Sequence, residues 1–160
     1  DYAVRLKEKQ RLRAQYGIRE AQFRNTFDEA RRLPGLTGDT FVELLEMRLD
    51  ALVLRSGFAR TIAQARQGVV HRHILVDGKL VDRPPFRVKP GQVAQVKPKS
   101  QATTPYQVAA AGAHRDVLPQ VPAYLDVELE KLKFTLVRTP KRVEVPVTAD
   151  VQLIVELYAR

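Results

Sequence analysis

At 160 residues and 44% hydrophobic, the chain can bury a sizeable core as one domain or two small ones, and with no cysteine it holds neither a disulfide nor a cysteine-ligated metal. No run approaches the ~18 apolar residues that a bilayer span requires, and the opening DYAVRLKEKQ has no signal-peptide pattern. A formal charge of +9 and a pI near 10.1 point to a polyanionic partner.

The chain opens with YAVRLKEKQRLRAQYG, which predicts a helix ending at Gly17, a residue suited to the left-handed position after a helix. Its bases form two stripes at 100° per residue, Arg5, Lys9 and Arg13 on one side and Lys7 and Arg11 nearly opposite. This pattern fits either a solvated charged helix or one lying against phosphates with cations on both flanks. REAQFRNTFDEARRLPG predicts a second helix, with Phe23, Phe27 and Ala30 at i, i+4, i+7 and a stop at Pro34-Gly35. Thr40 and Glu43 read as a capping box opening one long helix through Leu45, Leu49, Leu52 and Val53 to Gly57.

Thr61 and Gln64 form another capping box, and Gly68 is expected to break the helix it opens. Alternation then takes over. Ile74 and Val76 predict a strand, Asp77-Gly78 a hairpin turn, and Leu80 and Val81 the returning strand. Phe86 and Val88 predict a further strand, and Val93 with Val96 the last of a small antiparallel sheet within residues 48–99. Residues 100–123 read as a loose connection with one short helix, and YLDVELEKLKFTLVRTPKRVEVPV carries two or three strand candidates. VQLIVELYAR reads two ways: its β-branched content favours a strand, yet Val151, Ile154, Val155 and Tyr158 recur at helical spacing, which favours a short helix buried on most sides.

Charge is unevenly placed. Residues 48–99 hold eleven bases against three acids, and no acidic side chain lies between Ala51 and Val76. The acids elsewhere make poor catalysts. Glu43 and Glu46 read as complementing a helix dipole, and Glu128 and Glu130 as one solvated strand face. No G-x-G spacing, P-loop, H-E-x-x-H or G-x-S-x-G is present, so no enzyme class is indicated.

His71 and His73 admit three readings: metal ligands, a buried structural pair, or donors to phosphates and sugar hydroxyls. A metal needs further ligands, the only other histidine is His114, and Arg60, Arg66 and Arg72 would repel a cation. Those arginines favour the donor surface. The first helix lacks the apolar face that a membrane requires, and the bases are spread over caps, a helix and a hairpin edge. That layout suits the backbone and shape of a folded RNA.

RLDALVLRSGFARTIAQARQGVVHRHILVDGKLVDRPPFRVKPGQVAQV closely resembles the RNA-binding module named after small-subunit ribosomal protein four, through its LD and RSG, its ART and QARQ, its HRHI and VDGK, and its RVKPGQ. The flanks LKEKQRLRAQYGIREAQFRNTFDEA and VQLIVELYAR are similar to the bacterial or organellar form of that ribosomal protein family, so the likeness covers essentially the whole chain.

The resemblance implies an α+β fold, a helical domain of residues 1–46 completed by 150–160, with an α/β RNA-binding module inserted at 47–149. It implies a structural component of the small subunit on the cytoplasmic ribosome, without cofactor or metal, that binds small-subunit ribosomal RNA early in assembly. Contact with ribosomal protein five would affect decoding accuracy. Residues expected before Asp1 would reach messenger RNA and, in some members, carry zinc-binding cysteines. The implied RNA-facing groups are Arg48, Arg60, Thr61, Arg66, His71, Arg72, His73 and Lys79 in the module, with Arg5, Lys7, Lys9, Arg11 and Arg13 in the first helix. An RNA-modifying enzyme bearing this module as an appendage, or a free-standing RNA chaperone, are the alternatives.

Overall fold

A computed structural model describes residues 1–159 of the protein. In chain order the elements are α1 (Tyr2–Tyr16), α2 (Glu20–Arg32), α3 (Thr37–Glu46), α4 (Leu49–Arg55), α5 (Ile62–Val70), β1 (Ile74–Val76), β2 (Lys79–Leu80) and β3 (Val93–Val96). There follow α6 (Pro98–Gln101), α7 (Thr104–Ala110), β4 (Leu125–Glu128), β5 (Lys133–Leu136) and α8 (Val151–Tyr158). Two compact bodies result, one from Asp1–Glu46 with the segment from Lys141 to the C-terminus, the other from Met47–Pro140. None of the helices is long and apolar enough to cross a membrane among the described residues.

The first body is helical. Gly17 ends α1 with φ 61°, its amide donating back to Ala14 and Arg13 carbonyls, the geometry that glycine adopts without steric cost. The fully buried Phe23 and Phe27 of α2 meet Phe41 of α3 edge-on, with ring centres 4.8 and 5.3 Å apart. Tyr158 of α8 leans on Phe27 at 4.7 Å, and Ile154 is fully buried. Burying side chains of this size stabilises the body by roughly 1.5–3 kcal/mol each. The returning segment starts at Lys141, earlier than the expected residue 150. The Arg142 amide donates to Glu43 at 3.0 Å and the Arg142 guanidinium to the Ala149 carbonyl at 3.2 Å.

Sequence patterning misreads the next stretch. Thr40 is inside α3, its amide bonded to the Leu36 carbonyl, and opens nothing. The long helix is two helices, because Met47 and Arg48 leave helical geometry where the backbone of residues 47–50 bonds to residues 84–88. The Leu49 amide donates to Phe86, the Val88 amide to Met47, and Arg48 bridges Arg87. Phe86 and Val88 accordingly form no strand of the sheet. Glu43 and Glu46 lie in the C-terminal part of α3, where a negative charge gains nothing from the dipole. Glu46 is fully buried and accepts the Tyr16 hydroxyl at 2.8 Å.

The second body is an α+β unit around a five-stranded antiparallel sheet of order β2-β1-β3-β5-β4. Asp77 (φ 49°) and Gly78 (φ 79°) both take the left-handed conformation of a tight hairpin turn between β1 and β2. The sheet extends beyond residue 99: β5 pairs with β3 and β4 with β5. Ile74, Val76, Ala94, Val96, Phe134 and Leu136 are buried in one cluster with Leu49, Leu52 and Val53 of α4 and Ala65 and Val69 of α5. The 100–123 connection holds α7 and the end of α6 rather than one helix; α6 starts at Pro98, and α7 carries Pro105 in its first turn.

Candidate nucleic-acid interface

The basic stretch folds into α4, a turn, α5 and the start of β1. Thr61 caps α5, its hydroxyl accepting the Gln64 amide at 3.1 Å, while the Gln64 side-chain oxygen accepts the Arg60 amide at 2.7 Å. Arg60 and Thr61 are exposed at this helix N-terminus. Gly68 does not break the helix. It lies buried within α5, where an added Cβ would come 2.5 Å from the Tyr106 hydroxyl oxygen of α7.

The other end of α5 is closed by its backbone. The His73 amide donates to the Gly68 carbonyl and the Arg72 amide to Val69, the paired bonds of a Schellman motif. Arg72 occupies the left-handed position that glycine usually fills, with φ 68°, and is exposed. His71 and His73 thus flank a helix terminus and do not share a strand face; their ring centres are 6.4 Å apart. His73 Nδ1 is 2.6 Å from Ser100 Oγ, and burial, aided by the nearby Lys97 and His71 charges, lowers its pKa. Neutral His73 is therefore favoured near neutrality. Among the described residues no group of three or more His, Asp or Glu side chains could hold a metal ion. Lys79 is exposed on β2.

Arg48 does not face outward. It is buried, and its Nε and Nη2 each lie 3.0 Å from the carboxylate of the fully buried Asp50. Asp50 Oδ2 is also 3.7 Å from Arg66 Nε, so the acid just before the basic stretch orients Arg66, whose side chain is partly exposed. Sequence reading missed this role; an acid between two bases just before an acid-free run was the available signal. It also missed Lys97, brought beside the histidines by a 2.8 Å bond from its amide to the His73 carbonyl. The Lys-Pro-Lys following β3 was the signal there.

In the helical body, the two stripes of α1 part company. Arg5 pairs with Glu156 of α8 at 3.2 Å, and Arg13 donates to the Ile18 carbonyl and Gln10. Lys9 pairs with Glu20 of α2 at 2.6 Å, leaving 12% of its side chain exposed, and lies over the Tyr158 ring. Lys7 and Arg11 face solvent, Arg11 beside Glu8 at 3.1 Å. The Lys7–Arg11 stripe is thus the outward one, while Arg5, Lys9 and Arg13 are engaged within the fold, and Lys9 is a packing residue. Glu128 and Glu130 do not share a strand face either, since Glu130 is in the turn after β4; Lys131 and Lys133 hold the Glu128 carboxyl below its usual range.

Two family models match this chain, the ribosomal protein S4/S9 N-terminal domain over residues 1–46 and the S4 domain over residues 47–93. Over its full length the chain is 84% identical to the small ribosomal subunit protein uS4 of Beutenbergia cavernae, covering 77% of that protein. It is 74% identical to the uS4 protein of Leifsonia xyli over 99% of its own length and 77% of the relative's. With the uS4 protein of Tropheryma whipplei it shares 67% identity over 99% of the chain and 78% of the relative.

Proposed function

This chain belongs to the small ribosomal subunit protein uS4 family, and from that premise we propose which of its residues grip ribosomal RNA and what else it touches. It is a structural RNA-binding component of the small ribosomal subunit on the cytoplasmic ribosome, not an enzyme. In the module, Arg60, Thr61, Arg66, His71, Arg72, His73 and Lys79 face the RNA. On α1, Lys7 and Arg11 are the outward cations, with Arg5 and Arg13 divided between RNA and their own fold. Binding of this kind reads backbone and shape, positions the protein, and supports early assembly. Contact with ribosomal protein five, and through it an effect on decoding accuracy, is part of the same proposal. The supporting feature is apolar surface on the helical body, where Leu36 is 74% and Val143 90% exposed.

The observation that carries the RNA surface is Arg72. A left-handed arginine costs roughly 1–2 kcal/mol that glycine would avoid, and it projects a cation from the end of α5. Arg72→Gly should leave the protein as stable or more stable, yet bind a small-subunit RNA junction more weakly and with a salt slope shallower by about one. Wild-type affinity at every salt concentration would remove Arg72 from the interface. Arg115→Gln, on the connection after α7, is the control and should leave both affinity and slope unchanged.

A further inference from the structure

We propose that the cavity beside α5 receives a single unstacked RNA base. The proposal deepens the RNA-binding reading and rests on it. The cavity has a volume of about 310 Å³ and is lined by Phe58, Gln64, Gln67, His71, His73 and Tyr106. That volume is at the lower end for small-ligand sites, the scale of one heterocycle rather than a helix or peptide.

Its walls have the chemistry of a base site. Three rings follow one another, His71 to His73 at 6.4 Å and His73 to Tyr106 at 5.5 Å. His71, the exposed member, is the ring an incoming base meets first. Aromatic and imidazole rings hold unpaired RNA bases by stacking, and amides read their edges. Gln64 and Gln67 lie one helical turn apart on this wall. Because the Gln64 oxygen already accepts the Arg60 amide, its NH₂ group is left to donate to a base carbonyl or ring nitrogen.

Charge selects the occupant. Arg60 precedes Gln64 at the helix start, Arg72 separates the two histidines, and Lys97 approaches His73. No acid lies between Ala51 and Val76, and the nearest one before them, Asp50, is engaged by Arg48 and Arg66. A cationic rim around a ring-sized cavity matches a nucleotide, with phosphate outside and base within.

A double cycle on the complete chain tests this. The probe is a folded small-subunit ribosomal RNA transcript, made with an abasic site at each unpaired nucleotide in turn. One abasic position should lower affinity by about tenfold, and His71→Ala on the intact transcript should do the same. On that abasic transcript His71→Ala should cause no further loss, because the two partners of one contact do not add. Gln67→Ala, also at an exposed position, gives a second arm with the same expectation. Losses that multiply, or the absence of any sensitive unpaired position, would overturn the base site while leaving phosphate binding in place. Failure of the wild-type chain to bind the intact transcript in a salt-dependent way would overturn the RNA reading and the base site together.

Discussion

Arg48 presents Nε and Nη2 to the two carboxylate oxygens of Asp50, each at 3.0 Å, and both residues are buried. Asp50 also accepts the Ala51 amide at 2.8 Å and holds Arg66 at 3.7 Å. Its removal would strand a buried guanidinium. Asp50→Ala should therefore lower stability by about 3–5 kcal/mol, read as a fall in the denaturant midpoint. A loss under 1 kcal/mol would show that Arg48 finds water instead.

The packing of Gly68 against Tyr106 reverses an ordinary rule. Alanine in a helix interior is normally better than glycine by about 1 kcal/mol. Here the new methyl would meet the Tyr106 oxygen at 2.5 Å, so Gly68→Ala should destabilise by about 1–3 kcal/mol. With Tyr106→Phe in the background, the next atom is 3.8 Å away and the same substitution should become neutral or stabilising. Thermal unfolding of the four proteins decides it; an equal cost in both backgrounds would refute the clash.

Thr61 holds the first turn of α5 by one hydroxyl. Thr61→Ala should cost ~1 kcal/mol of stability, whereas Thr61→Ser, which keeps the oxygen, should cost much less. Chemical denaturation with a module-specific probe measures the difference, and identical midpoints for Ala and wild type would count against the cap.

His114 is buried with neither ring nitrogen hydrogen-bonded, and burial followed by the Arg60 charge lowers its pKa; His73 shifts in the same direction. A depressed folded-state pKa means that the unfolded chain takes up protons first. Stability is then fully present above the unfolded value of about 6.5 and is lost as pH falls below it. Melting temperatures between pH 8 and pH 5.5 should show that decline, and His114→Leu should flatten part of it. The same decline in the variant would exclude His114 as a source.

Helix α8 closes the helical body through Ile154, fully buried, and through Tyr158, whose hydroxyl donates to Glu20 at 2.8 Å. Ile154→Ala should cost about 2–5 kcal/mol. Tyr158→Phe, which loses a hydrogen bond to a charged acceptor, should cost about 1.5–3 kcal/mol. Unfolding followed by Tyr and Phe absorbance separates them, and equal, negligible effects would show that α8 is not part of the core.

Local signals in this sequence determined local structure. Gly17, the Thr61–Gln64 cap, the Asp77-Gly78 turn and the apolar spacing of α2 and α8 each depend on a few neighbouring residues, so they could be read directly. The density of bases around α5, together with the likeness of its motifs to a ribosomal family, made an RNA partner legible for the same reason. Tertiary structure decided what depends on distant residues. Met47 and Arg48 leave the helix because residues 84–88 offer their backbone a partner, and a glycine sits inside α5 because Tyr106 fills the space a side chain would take. The sheet has five strands because β5 finds the edge of β3. Charge shows the same division most sharply: Lys7 and Lys9 are two residues apart on one helix, yet Glu20 draws Lys9 inward while Lys7 faces water. A residue's sign is written in the sequence, but its direction depends on which carboxylate folding brings within reach.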